Sequence, residues 1–319
     1  MLCRTASDLF WMGRVVERAD AMARLLDLAR RLSALPTTRG AGAGRAWVLP
    51  VLATGAVPAG RAAIEADPAA ALACCVLDRD NPGSVLACVQ MARDVVRNQR
   101  SVVPAELLAP VQQLLHRLRG LRAAELAGGG LGHVIGEILA FSDAFRGVSF
   151  ATMLRNEAWH FLRLGSLVER ADAAVRMWTT QADPEFELLR DGPDSPHAAF
   201  HRVALLEAAS ALMPLRRLHG EPDRRGVADM LLRRHDFPRS AAYGLAQASQ
   251  ALGALHVNAS EPVARSFGRA LAGVCYADPD GDAARMFAFG AARQGEIAAA
   301  AAAVEQRFFV ARMPLRRAA

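Results

Sequence analysis

The stretch Gly13-Arg14-Val15-Val16-Glu17-Arg18-Ala19-Asp20-Ala21, followed by Arg24, returns 152 residues later as Gly165-Ser166-Leu167-Val168-Glu169-Arg170-Ala171-Asp172-Ala173, followed by Arg176. Six consecutive residues, Val-Glu-Arg-Ala-Asp-Ala, are identical in the two copies. Further echoes keep the same order. Met1-Leu2 answers to Met153-Leu154, Trp47 to Leu52 lines up with His201 to Leu206, and Asp80-Asn81-Pro82-Gly83-Ser84 lines up with Asp236-Phe237-Pro238-Arg239-Ser240. Ordered matches with a slowly drifting offset read as a duplicated unit. At about 100° per residue, Leu9, Met12, Val16, Ala19 and Ala23 form one apolar stripe of a helix. Gly13, Glu17, Asp20 and Arg24 lie beside it, within about 60° of arc.

The rest of the chain agrees with a helical reading. Its 319 residues are 52% hydrophobic, 6% aromatic and 22% charged, with Ala, Leu and Arg dominant and β-branched residues sparse. That mixture favours helices over strands. A chain of this length buries enough surface to need neither disulfide nor metal for its core. The expectation is an all-α helical bundle of two sequence-related repeats packed as one domain over 1–319. Repeat one covers about 1–127, a connector and helix about 128–152, and repeat two about 153–319. The Ala127-Gly128-Gly129-Gly130 stretch is expected to be a flexible boundary, with further loops at Thr37 to Arg45 and Ala182 to Pro196. Ser195-Pro196, Ser84 and the counterpart of Ser84 are expected to start helices.

All 38 basic residues are arginine. This excludes a lysine Schiff base and the lysine of a phosphate-binding P-loop. The net charge of +6 permits an acidic partner, but dispersed arginines without interleaved aromatics do not make a nucleic-acid motif. Five cysteines with no Cys-x-x-Cys pair fit a reducing, cytoplasmic setting. No apolar run is long enough to span a bilayer.

Two sets of polar residues stand out. Glu17, Asp20 and Arg24, with Glu169, Asp172 and Arg176, flank the core, where an unpaired charge is expensive. They read either as a charge network clamping the repeats or as paired sites for a ligand or partner segment. The glycines beside them imply close approach of a backbone or ligand. A di-metal carboxylate centre wants two Glu-x-x-His elements, and only Glu157-Ala158-Trp159-His160 is present. The second set is Arg93, Arg97 and Arg100, at i, i+4 and i+7 on one helix face with no acid four residues away on it. These three suit a phosphate, a carboxylate or an acidic helix, or alternatively pair with Glu17 and Asp20 across the bundle. His197 and His201 lack the acid of a zinc-protease motif, and no nucleophile elbow is present. No cofactor or metal site is expected.

Met1-Leu2-Cys3-Arg4-Thr5-Ala6 through Phe10-Trp11-Met12-Gly13-Arg14-Val15-Val16-Glu17-Arg18-Ala19-Asp20 resembles the opening of the bacterial alpha-E domain family. So do Asp80 to Ser84, Ala92 to Arg100, and Trp159-His160-Phe161-Leu162-Arg163-Leu164-Gly165 through Glu169-Arg170, for its later elements. The chain departs from the pattern at Ser166, where Arg is expected, and in lacking a Trp between Pro104 and Leu115. The resemblance implies a helical protein encoded beside a circularly permuted ATP-grasp protein and a transglutaminase-like protein, in sets that make or attach peptides through amide bonds. The expected role is a non-catalytic accessory or scaffold that binds the ligase or its peptide substrate. Its candidate contacts are Arg14, Glu17, Arg18, Asp20, Arg24, Arg93, Arg97, Arg100, Glu169, Arg170, Asp172 and Arg176. The alternative is an enzyme acting on a peptide or amide, with Glu17 or Glu169 as acid or base.

Overall fold

The computed structural model describes residues 1–34, 45–54, 65–182 and 195–310. The regular elements among them are all helical, without a strand. Apart from single helical turns, they are α1 (Cys3–Ser33), α2 (Val48–Thr54), α3 (Pro68–Val76), α4 (Val85–Asn98), α5 (Leu108–Gly120), α6 (Leu131–Thr152), α7 (Glu157–Thr179), α8 (Pro196–Ala208), α9 (Leu212–His219), α10 (Arg224–Ala228), α11 (Ala241–Ala254), α12 (Pro262–Tyr276) and α13 (Ala283–Phe308). The two segments that share the hexapeptide become α1 and α7, and these pack most extensively on each other. α4, α6 and α8 also cover α1, while α11 and α13 also cover α7.

The expected stripe of Leu9, Met12, Val16, Ala19 and Ala23 is buried, and so are Phe10, Leu25 and Leu28 on other faces of α1. A helix covered by several neighbours buries more than one stripe, which a one-sided amphipathic reading underestimates. One continuous hydrophobic core takes in α1, α7 and the helices around them.

The crossing of α1 and α7 depends on two glycines. A Cβ on Gly13 would lie 2.1 Å from the carbonyl oxygen of Leu162, and one on Gly165 would lie 1.9 Å from that of Phe10. The matched glycines therefore let the two backbones touch. Ser166 stays small at the same crossing, with its Oγ 3.4 Å from the carbonyl oxygen of Gly13.

Ser84 and Ser240 start α4 and α11. Their hydroxyls accept from the amides of Ala87 (3.2 Å) and Tyr243 (2.9 Å), and each donates back to a carbonyl six residues upstream, of Asp78 and Arg234 respectively. Ser195 caps α8 ahead of Pro196, as its sequence leads one to expect.

The Ala127 to Gly130 stretch, expected as a flexible connector, is helical rather than irregular. Leu126–Gly130 is a π-helical turn that runs directly into α6. The core side chains Leu126 and Leu131 anchor it at either end. Gly129 takes a φ of +100°, which a side chain would resist. The other expected loops, Thr37 to Arg45 and Ala182 to Pro196, fall largely outside the described residues.

Candidate functional site

At the α1–α7 crossing the repeated Glu-Arg pairs exchange partners. Arg170 of α7 donates to Glu17 of α1 through Nε (3.2 Å) and Nη2 (2.5 Å). Arg18 of α1 donates to Glu169 of α7 through Nε (2.6 Å) and Nη2 (3.1 Å), and Arg14 adds an Nε bond of 2.7 Å to the same carboxylate. Each glutamate thus receives a two-pronged guanidinium from the opposite helix, the strong geometry for this pair. Both carboxylates are nearly inaccessible, with side-chain exposures of 2% and 7%.

The aspartates one turn further on differ from each other. Asp20 accepts from Arg24 on its own helix (2.8 Å), from Arg146 of α6 (3.0 Å) and from Arg239 ahead of α11 (2.9 Å). Arg146 also donates to Glu17 (3.1 Å) and to the exposed Asp143 (2.7 Å). Arg24 is tied further to the Ala208 carbonyl and the Ser210 hydroxyl. Among the described residues Asp172 instead has one ion pair, with Arg176 at 2.5 Å on its own helix. The aspartates therefore pair four residues along their own helices, while the glutamates reach across the helix interface.

These surroundings set the ionisation. Burial alone would raise the Glu17 carboxyl, but Arg170 and Arg146 outweigh it and hold it below its ordinary range. Burial likewise opposes ionisation of Asp20 and Glu169. Arg239, Arg24 and Arg146 lower the first, and Arg18 and Arg14 lower the second. At Asp172 burial wins over its one arginine, with Glu169 adding to the rise, and its carboxyl sits above its ordinary range.

Arg93, Arg97 and Arg100 lie elsewhere. None of them pairs with Glu17 or Asp20, whose guanidinium partners are those named above. Arg93 instead donates to the adjacent Asp94 through Nε (3.0 Å) and Nη2 (2.6 Å). A long arginine chain bends across the 100° that separates neighbouring positions on a helix, so the offset of Asp94 did not isolate it. Arg97 and Arg100 are exposed and form no ion pair with a described residue. A groove of about 360 Å³ opens between the start of α1 and one face of α4, and neither Arg97 nor Arg100 is among its lining residues. It is lined by Arg4, Asp8, Arg79, Gln90, Asp94 and Asn98, among others. Charges of both signs alternate there with side-chain amides.

Two arginines of the buried cluster escaped the sequence reading. Arg239 stands in Asp236 to Ser240 where the similar stretch Asp80 to Ser84 has Gly83, so a mismatch between the two stretches is its signal. Arg146 lies in α6, outside the matched segments, and has no such signal. Glu157-Ala158-Trp159-His160 gains no further ligand, and among the described residues no group of three His, Cys, Asp or Glu side chains is placed to hold a metal. Cys75 and Cys88 are buried, and burial pushes the Cys88 thiol up to about 12, far from a reactive thiolate. No helix of the described residues is long and apolar enough to cross a membrane.

The chain is similar to uncharacterized proteins of Mycobacterium tuberculosis and Mycobacterium bovis, 29% identical to each over 259 residues. The match covers 76% of this chain but 28% of each relative, so it spans little more than a quarter of their length. No solved structure matches. A family described as a predicted alpha-helical domain with a conserved ER motif matches residues 1–309, over which Glu17-Arg18 and Glu169-Arg170 form the helix crossing, and the chain belongs to this Alpha-E family.

Proposed function

We propose that this chain is a non-catalytic accessory protein of a cytoplasmic ATP-grasp amide-ligase system, built from two repeats of one helical unit. It binds the ligase or its peptide substrate, with a transglutaminase-like protein as a further partner of the set. The observation that carries the reading is the state of Glu17 and Glu169, the two carboxylates best placed by sequence for acid–base work. Each is locked between guanidinium groups that hold it ionised, so it neither donates a proton at neutral pH nor has the basicity to take one. The groove between α1 and α4 offers both charge signs and amides to a peptide or protein surface, and Arg97 and Arg100, at the end of α4 and just past it, are exposed. The relatives support the same reading, because there the matched segment accompanies a much longer polypeptide. The reciprocal Glu-Arg exchange and the matched serine caps support the duplication.

The test is gel filtration with light scattering of the chain mixed with the ATP-grasp protein encoded beside it, with and without ATP. A joint peak that Arg97→Glu weakens, while circular dichroism and melting stay unchanged, is the expected result. Separate peaks in every condition sink the reading. Turnover of a peptide or amide by the isolated chain, lost in a stably folded Glu17→Gln variant, would establish the enzyme alternative.

A further inference from the structure

The buried cluster around Asp20 holds more positive charge than it neutralises. Glu17 and Asp20 are its two inaccessible carboxylates, and Arg24, Arg146, Arg170 and Arg239 all donate to them. The third acid, Asp143, is 70% exposed and accepts from Arg146 Nη2, the nitrogen that also donates to Asp20. Four guanidinium groups thus meet three carboxylates, one of them exposed, so the cluster carries one positive charge in excess and has room for one more anion.

The shortage falls on Arg239. Its Nη1 bonds to Asp20 at 2.9 Å, while its Nε and Nη2 have no partner among the described residues. Its side chain is 21% exposed, so these donors are open to an incoming group. Burial, together with the neighbouring Arg24, lowers its basicity in spite of Asp20. A counter-anion would remove that strain on its charge.

A cleft is present at this point. Arg24, Arg170 and Arg239 line it with Glu17 and Asp20, and Ala21, Ala173, Ala174, Met177, Ala209 and Leu231 complete its wall. Its volume is about 20 Å³, where a single water needs roughly 10–15 Å³. It accepts one oxygen atom and leaves the remainder of the ligand outside, on the side of the half-buried Ala21 and Ala173 rather than the buried Ala174 and Ala209. A planar, singly charged group suits this shape better than a tetrahedral dianion, and a guanidinium edge recognises it in two-pronged fashion. The corresponding place in the other half lacks the cation, because Gly83 stands where Arg239 does.

We propose that this cleft is a carboxylate-binding site, in which Arg239 is the principal contact and Arg24 and Arg170 form the positively charged wall. The site goes beyond the partner reading and is tested on the isolated full chain, so either can fail without the other.

The experiment titrates acetate into the protein in chloride-free buffer at constant ionic strength, following the arginine Nε–Hε resonances by NMR. Saturable shifts, and contacts between the acetate methyl and the methyl groups of Ala21 or Ala173, are expected. Arg239→Gln, which keeps one donor for Asp20, is expected to weaken binding at least tenfold. A dialanine peptide with a free C-terminus, compared with its amidated form, then identifies the source. Binding of the free form alone shows a peptide end, and binding of acetate alone shows a small free acid. Absence of saturable shifts and methyl contacts in the wild-type protein overturns the proposal, which keeps it testable even where the variant does not fold. Binding of inorganic phosphate without acetate, or equal acetate affinity in a folded Arg239→Gln variant, also overturns it.

Discussion

Adding one methyl group at Gly165 is expected to force α1 and α7 apart. The new Cβ would lie 1.9 Å from the carbonyl oxygen of Phe10, and must retreat by about 1.5 Å to reach the 3.4 Å at which ordinary contact begins. The obstacle is helix backbone, so no rotamer change relieves it. The same displacement stretches the bonds from Arg14 and Arg18 to Glu169, now 2.6 to 3.1 Å, beyond hydrogen-bonding range. Overpacking costs about 1–3 kcal/mol, and loosening a buried ion pair adds to it, so Gly165→Ala is expected to lose at least ~3 kcal/mol. Gly13→Ala meets the Leu162 carbonyl at 2.1 Å and is expected to behave alike. Gly136 and Gly147, inside α6, provide the control, since a Cβ on either meets nothing within 4 Å. There the same substitution should stabilise by ~0.5–1 kcal/mol through helix propensity and chain entropy. Urea unfolding followed by circular dichroism at 222 nm reads all four variants. A loss at Gly165 and Gly13 of less than ~1 kcal/mol would refute the account of the crossing.

The two aspartates, equivalent in sequence, should respond oppositely to the same isosteric change. Asp20→Asn leaves three guanidinium groups short of a carboxylate and should cost ~3–5 kcal/mol, whereas Asp172→Asn removes a carboxyl that burial already disfavours and should be neutral or stabilising. Equal losses in the two unfolding midpoints would show that the neighbouring arginines do not distinguish them. Stability should also fall with acid. Glu17, Asp20 and Glu169 have lowered folded-state values, so their contribution is present above the ordinary unfolded range near ~4 and is lost as pH drops through it and below. A urea midpoint that stays level from pH 6 to pH 3 contradicts this, and Glu169→Gln should flatten the fall.

How much could be read in advance depended on where each interaction is encoded. Composition, the 3.6-residue spacing and the repeated Val-Glu-Arg-Ala-Asp-Ala were enough for an all-helical chain, the core face of α1, and the helix starts at Ser84, Ser195 and Ser240. All of these depend on residues close together in sequence, or on recurrence of a pattern. The burial of Glu17 and Asp20 followed because they flank an apolar stripe. The partners of those carboxylates did not follow, because Arg146 and Arg239 lie 129 and 219 residues from Glu17 and Asp20 respectively, and helical periodicity carries no information across such separations. The same gap explains why Arg93 was open to pairing with Glu17 on paper but bends to Asp94 in the folded chain. Tertiary structure alone decided that the two glycines face each other's backbones, that Glu17 and Glu169 exchange arginines across that contact, and that the Asp20 side accumulates a surplus of positive charge. The physical reason is that charge balance in a buried cluster is settled among whichever groups packing brings together, and the chain order records only some of them.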